Sequence, residues 1–331
     1  MATILVLSEH DVRRFLPMAE CIEVMAEALA EVARGNAVLP LRTVAWLPDR
    51  RGALATMPAL LPGIGALGAK VITVFPGNVG SELDSHQGAV LLFEPERGRL
   101  LAILDASTVT AIRTAAVSAV ATRVLARGDA DDLAILGSGV QARTHLEAIL
   151  AVRPVRRVRV WSRTPERARR FAEDSAAAGV AVEVAASAEA AVAGASIVCT
   201  TTAATEPVLR GAWLAPGAHV NAVGSSVPAA RELDSDAVAR SRLYVDRRES
   251  TLSEAGDFLV PRREGRIDDA HIVAELGEVL TGQAGGRGSP DEVTLFKSLG
   301  LAVEDVAAAR HVYEKALAAG GGTAVELGGG R

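Results

Sequence analysis

The sequence predicts an α/β chain in which a Rossmann-type, doubly wound parallel sheet is joined to an α+β domain. Three patterns predict it. After Asp132 apolar strands alternate with helical segments. The glycine-rich turn Gly137-Ser138-Gly139-Val140-Gln141-Ala142 stands between the first of those strands and its helix. Before residue 105, short β-rich runs follow one another between turn residues.

The elements can be read in order. Ser8-Glu9-His10-Asp11 is a capping-box variant that opens a short helix. Residues 18–32 then place Cys21, Ile22, Met25, Leu29 and Val32 at helical spacing, so two helices lead the chain. Runs at 41–47, 53–60, 67–74, 89–94 and 100–105 are bounded by Gly, Pro or Asp, as a meandering antiparallel sheet requires. Ser107 is expected to cap a helix reaching residue 126, with Val109, Ile112, Ala116, Val120 and Val124 as its buried stripe.

Strands are then expected at 133–136, 158–161, 180–184, 197–201 and 220–223. Helices fill 141–152 and 165–178, the second with Thr164 as cap and Pro165 in its first turn, and a short one precedes residue 197. Residues 285–288 read as a loop. A final helix, 299–317, is expected to pack back onto the first domain, and the Gly-rich end after Ala319 to fray. The expected division is a domain of residues 1–112 with 300–331, and a nucleotide domain of residues 113–299.

Composition excludes several classes of function. The chain has 331 residues, 49% hydrophobic and 23% charged, with a net charge of −5 and 3% aromatics. That balance excludes disorder and leaves no basic, base-stacking surface for nucleic acid. No apolar stretch is long enough to span a membrane and the start lacks a signal-peptide pattern, so the expected compartment is the cytoplasm. Cys21 and Cys199 lack metal-ligand spacing and read as reduced core residues. No metal is expected, His271 with Glu275 being the one helical i, i+4 pair that resembles ligand spacing.

The turn at Gly137 carries the first chemistry. In a dinucleotide fold the first glycine makes the tight turn, the second lets backbone approach the pyrophosphate, and a small third residue lets helix and strand pack. The helix N-terminus then faces the phosphates. An NAD site usually ends its second strand with Asp or Glu for the ribose 2′-hydroxyl, but this chain reads Trp161-Ser162-Arg163-Thr164. Arg163 can pair with a 2′-phosphate while Ser162 and Thr164 donate to it, so NADPH is favoured over NADH.

Three cations, Arg42, Lys70 and Arg113, sit in segments that otherwise read as buried. Strand alternation or structural ion pairs would account for each singly. A carboxylate-bearing substrate would supply one partner for all three.

Several long motifs occur in one order: Gly68-Ala69-Lys70-Val71, Phe75-Pro76-Gly77-Asn78, Ser85-His86-Gln87-Gly88, Thr110-Ala111-Ile112-Arg113-Thr114-Ala115-Ala116, the phosphate loop, Arg231-Glu232-Leu233-Asp234, Ala274-Glu275-Leu276-Gly277-Glu278 and Phe296-Lys297-Ser298-Leu299-Gly300. On these the sequence resembles the ornithine cyclodeaminase and mu-crystallin family over nearly its whole length. The resemblance implies a homodimer whose N-terminal domain, joined by the C-terminal helix, binds substrate and forms the subunit interface. It implies that Arg42, Lys70 and Arg113 hold a substrate carboxylate and that Thr114, Gly139, Val140 and Gln141 meet the cofactor. Thr201, Val223, Ser225 and Ser298 would line its ribose and nicotinamide, with Gly88 and Leu299 approaching the nicotinamide or substrate. His86 receives no role.

Two departures refine the expectation. Cyclodeaminases and the related alanine dehydrogenases carry an Asp where this chain has Ser226, and a hydroxyl cannot serve as a base or balance an ammonium side chain. Cyclodeaminases also carry an acid after the second nucleotide-fold strand, whereas Ser162-Arg163-Thr164 resembles the ketimine reductase branch. The resemblance therefore implies NADPH-dependent reduction of a small α-imino acid, either a cyclic ketimine such as Δ1-pyrroline-2-carboxylate or Δ1-piperideine-2-carboxylate, or an acyclic one such as iminosuccinate. Lys70, or a water held by Ser226, would supply a proton. The alternatives are amino acid deamination of the alanine dehydrogenase or cyclodeaminase type, and a binding protein that holds NADPH and a carboxylate ligand without turnover.

Overall fold

The computed structural model describes residues 3–78 and 81–327. The chain divides into two compact units, Met1–Arg113 with Gly300–Arg331, and Thr114–Leu299.

The first unit begins with a strand, β1 (Thr3–Leu7), ahead of the two expected helices α1 (Glu9–Phe15) and α2 (Met18–Ala33). Four apolar residues after Thr3 are too few to separate strand from helix by period, which is why β1 escapes a reading by pattern. The Ser8 box is formed, with Ser8 and Asp11 capping one another's backbone. There follow β2 (Thr43–Trp46), β3 (Ala53–Leu61), β4 (Ala66–Val74), β5 (His86–Phe93) and β6 (Leu100–Asp105). Helix α3 (Ala106–Leu125) carries the chain into the second unit.

Two expectations for α3 change. Its first turn is capped by Asp105, whose Oδ1 accepts from the Thr108 N–H at 2.7 Å, whereas Ser107 Oγ donates to the His86 carbonyl at 2.7 Å. Residues 111–122 are buried without a break, so the helix is buried on every side and not along one stripe.

The second unit contains β7 (Asp132–Leu136), α4 (Val140–Val152), β8 (Arg157–Trp161), α5 (Pro165–Ala177), β9 (Glu183–Val184), α6 (Ala188–Val192), β10 (Ile197–Thr200) and β11 (His219–Ala222). Pro165 opens α5 as expected, but Thr164 makes no side-chain cap. Beyond the elements expected from sequence lie α7 (Ser235–Ala239), β12 (Arg242–Val245), α8 (Arg248–Glu254), α9 (Gly256–Arg263), β13 (Ile272–Glu275), α10 (Leu276–Leu280) and β14 (Thr294–Lys297). His271 ends a 3-10 turn and Glu275 ends β13, so they are not a helical pair.

The chain then returns to the first unit through α11 (Ala302–Ala319) and β15 (Thr323–Glu326). The expected fraying after Ala319 is corrected for the described residues: Gly320 caps α11, and β15 pairs antiparallel with β1 from Thr3↔Glu326 to Val6↔Thr323. Residues 328–331 of that Gly-rich end lie outside the described residues.

Among the described residues the strands form two sheets. The first has the order β15-β1-β6-β5-β4-β3-β2, antiparallel except where β1 meets β6. Its inner face, with Ala55, Met57, Ala59 and Val90, is buried, and α11 packs on β3, β4 and β5. The second has the order β13-β12-β14-β11-β10-β7-β8-β9 and is parallel throughout. Along β7, Leu133 and Ile135 enter a core with α4 and α5, while Ala134 and Leu136 enter a core on the opposite face. A parallel sheet covered on both faces is the doubly wound arrangement, in which ligands meet the carboxyl ends of the strands.

Candidate active site

The first unit gathers the expected cations, and it gives them partners. Lys70 on the inner face of β4 and Arg113 on α3 are 2% and 3% exposed. Asp305, in the first turn of α11, lies between them: its Oδ2 is 2.7 Å from Lys70 Nζ and its Oδ1 accepts from Arg113 Nε at 2.9 Å. Glu304 Oε2 accepts from Arg113 NH1 at 2.6 Å. Lys70 and Arg113 thus have partners within the chain itself, two buried acids whose sequence signal was an adjacent acid pair in an otherwise apolar helix start, Ala302-Val303-Glu304-Asp305.

Arg42 joins the cluster, its NH2 donating to the Gly300 carbonyl at 3.2 Å. Gly300 has φ +80°, and a Cβ there would fall 2.5 Å from Arg113 NH1. Only glycine lets this turn close over the guanidinium. Gly88 lies on β5 opposite Ile72, and His86 starts the same strand with its Nδ1 3.1 Å from Ser85 Oγ.

Burial pushes the Lys70 ammonium down to about 8; Asp305 opposes the fall, whereas Arg113 and Arg42 add to it. For Asp305, burial alone would raise the carboxyl, but Arg113 and Lys70 outweigh it and hold the group below its ordinary value. The cluster therefore holds a charged carboxylate beside a lysine whose proton is exchangeable near neutral pH.

The second unit carries the glycine turn where the pattern places it. Gly137 follows β7 with φ +121°, and a Cβ there would meet the Thr201 carbonyl at 2.6 Å. Gly139 precedes α4 with nothing within 4 Å of where a Cβ would stand, and Val140 beside it is 57% exposed. An open, side-chain-free approach to a helix N-terminus is what a pyrophosphate needs. Ser138 Oγ donates to Ser162 Oγ at 3.1 Å across the ends of β7 and β8, and Arg163 and Thr164 beside it are exposed.

Thr114, on α3, is buried. Thr201 Oγ1 donates to the Leu136 carbonyl at 3.1 Å and Ser225 Oγ to the Ala230 carbonyl at 2.5 Å. Val223 follows β11, its N–H bonded to the Thr200 carbonyl, and Ser226 is exposed in the loop beyond. Leu299 follows β14, its N–H bonded to Asp246 Oδ2 at 2.5 Å. Ser298 Oγ at the end of β14 and Gln141 Oε1 in the first turn of α4 are buried with no hydrogen-bond partner among the described residues. Such orphans need a partner from outside the chain, and both stand at strand or helix ends where a dinucleotide would lie. The residues present thus fit such a cofactor. Among the described residues no group of His, Cys, Asp and Glu could hold a metal ion, and no helix is long and apolar enough to cross a membrane.

Known proteins resemble the chain over most of its length. The sequence profile of the Ornithine cyclodeaminase/mu-crystallin family matches residues 3–320. The chain is 45% identical over 290 residues to the ketimine reductase mu-crystallin of Mus musculus, covering 87% of this chain and 89% of that one. It is 40% identical over 325 residues to a Δ1-pyrroline-2-carboxylate reductase of Bacillus cereus, covering 98% and 100%. The structure of Thermococcus litoralis Δ1-pyrroline-2-carboxylate reductase in complex with NADH and L-proline superposes with a TM-score of 0.95 at 41% identity, covering 97% of this chain and 100% of that one.

Proposed function

Because the chain belongs to the ornithine cyclodeaminase/mu-crystallin family, we propose that it reduces a small cyclic α-imino acid, Δ1-pyrroline-2-carboxylate or Δ1-piperideine-2-carboxylate, to the L-amino acid with a nicotinamide cofactor. The chain is an oxidoreductase of the imino acid reductase type. The observation that carries this reading is the likeness, across nearly the whole of both chains, to a reductase that holds NADH and L-proline.

In this reading the first unit supplies the carboxylate anchor. Arg113 presents a planar fork, Lys70 a point charge, and Arg42 a third cation, with Asp305 fixing the first two in place. The second unit would hold the nucleotide: Gly137 makes the turn, Thr114, Gly139, Val140 and Gln141 would meet the cofactor, and Thr201, Val223, Ser225 and Ser298 would line its ribose and nicotinamide. Gly88 and Leu299 approach the nicotinamide or substrate. The nicotinamide, when bound, supplies the hydride, and the protein's part is orientation and charge.

An iminium accepts the hydride with no acid. A neutral imine takes its proton from Lys70, which is protonated below about 8. Ser226, lacking a carboxylate, holds water and not an ammonium side chain, which disfavours deamination of ornithine. Ser162, Arg163 and Thr164 support NADPH over NADH because no carboxylate stands there to repel a 2′-phosphate.

We also infer a homodimer. The outer face of the first sheet carries Leu54, Leu60, Leu67, Val71, Leu91 and Ile103, all left partly or fully exposed. A second copy of the same apolar face is its natural cover. The two free thiols, Cys21 and Cys199, are buried, which suits a cytoplasmic setting. Steady oxidation of NADPH with each imino acid tests the activity, and stoichiometric binding without turnover would favour the ligand-binding alternative.

A further inference from the structure

Glu232 and Lys297, each within a family-like motif, are buried charges of the second unit that the reaction above does not use. Glu232 is 0% exposed, Asp257 2% and Lys297 1%. Every acceptor site of Glu232 is filled from two loops. Oε1 accepts from the Thr202 N–H at 2.6 Å and from Thr202 Oγ1 at 2.7 Å. Oε2 accepts from Thr200 Oγ1 and from the Gly224 N–H, both at 2.7 Å. One carboxylate thus ties the segment after β10 to the segment after β11.

Asp257 and Lys297 extend the tie to β14. Asp257 Oδ1 accepts from the N–H groups of Glu232 and Leu233 at 2.8 and 3.0 Å, and its Oδ2 is 2.9 Å from Lys297 Nζ. Lys297 Nζ also donates to the carbonyls of Ser225 and Ala222 at 2.6 and 3.3 Å. The loops so joined carry Thr201, Val223, Ser225 and the orphan Ser298. Three buried ionisable groups, with burial and the neighbouring Asp257 raising the Glu232 carboxyl above its ordinary value, are a costly way to obtain stability that apolar packing would supply at less expense.

We propose that Glu232, held by Asp257 and Lys297, is a positioning residue that sets the spacing of the β10, β11 and β14 loops for the nicotinamide half of the cofactor. The adenosine half would be held at β7 and β8, on the far side of β10 in the sheet order, and would not use this clamp. The proposal rests on the reading of a nicotinamide dinucleotide site but not on the identity of the substrate.

Glu232→Gln is the direct test, because an amide turns an NH2 towards groups that are themselves donors. Affinities for NADPH and for 2′-phospho-ADP-ribose, which lacks the nicotinamide, are measured by calorimetry. The clamp predicts that the variant binds NADPH about tenfold more weakly or worse while 2′-phospho-ADP-ribose changes by less than about twofold. It also predicts a kcat for Δ1-pyrroline-2-carboxylate that falls more than KM rises. Equal weakening of both ligands, or of neither, overturns it. If Glu232→Gln does not fold, Thr202→Val removes one donor to the same carboxylate and decides the matter: NADPH affinity should fall about threefold to tenfold with the fragment unaffected, and unchanged NADPH affinity overturns the clamp. A wild-type protein that binds both ligands yet reduces no imino acid would refute the reductase reading and leave this affinity test standing.

Discussion

Asp305 accepts from Arg113 Nε with one oxygen and lies 2.7 Å from Lys70 Nζ with the other, so a single buried carboxylate aligns two cations. In a low-dielectric site that arrangement fixes the direction in which both can meet an anion. It also makes Asp305 responsible for keeping Lys70 charged, since burial, the larger influence, acts to neutralise the lysine.

That relationship predicts a pH dependence. Lys70 is protonated below about 8, so kcat/KM should hold at neutral pH and fall as pH rises through about 8. Asp305→Asn removes the group that opposes the fall, and the descending limb should move to lower pH. Activity at pH 7 should then drop roughly a hundredfold, as expected for loss of a charged hydrogen-bond partner. A descending limb left in place would show that Lys70 titration does not govern turnover.

For Arg113 the informative variant is lysine and not alanine. Arg113→Ala would leave Glu304 and Asp305 without their buried partner, and breaking a buried pair costs about 3–5 kcal/mol of stability. Arg113→Lys keeps the charge but loses the fork. It should lower kcat/KM for the best imino acid by about two orders of magnitude with a modest loss in Tm. Near-native turnover in the lysine variant would move the carboxylate anchor to Lys70 and Arg42.

Cofactor choice is expected to depend on Arg163. The wild-type protein should bind NADPH at least about tenfold more tightly than NADH, about 1.4 kcal/mol, and Arg163→Ala should shrink that ratio towards one. Titration of each nucleotide by fluorescence checks it, and equal wild-type affinities would contradict the assignment.

The outer sheet face supplies a prediction of assembly. Val71→Lys with Leu91→Glu places charges on the apolar face, and sedimentation should then show monomers where the wild type shows dimers. A wild type that sediments as a monomer at micromolar concentration would remove the dimer reading.

Much of this was legible in the sequence because the strongest signals are local. The strand, glycine turn and helix at residues 133–152, the Ser8 box and Pro165 at the start of α5 each involve residues within a few positions of one another. What escaped was set by distant partners. Glu304 and Asp305 are acids in an apolar helix until the fold brings Lys70 and Arg113 to them, and β15 becomes a strand only because β1 offers it an edge. The strands β12, β13 and β14 are four residues each, too short for period alone to separate them from the turns around them. Ser107 lost the cap of α3 to Asp105, an acid two residues before the hydroxyl that the pattern suggested.

Imino acid reduction is tested by turnover with the product identified. Purified protein is mixed with NADPH, then with NADH, and with Δ1-pyrroline-2-carboxylate, and absorbance loss is followed alongside L-proline formation; ornithine with each oxidised cofactor is run in parallel. Sustained consumption of reduced cofactor matched by L-proline, faster with NADPH, is expected, with no proline from ornithine above background. Rapid proline formation from ornithine, or reduced cofactor bound once and never consumed with any imino acid, would contradict it.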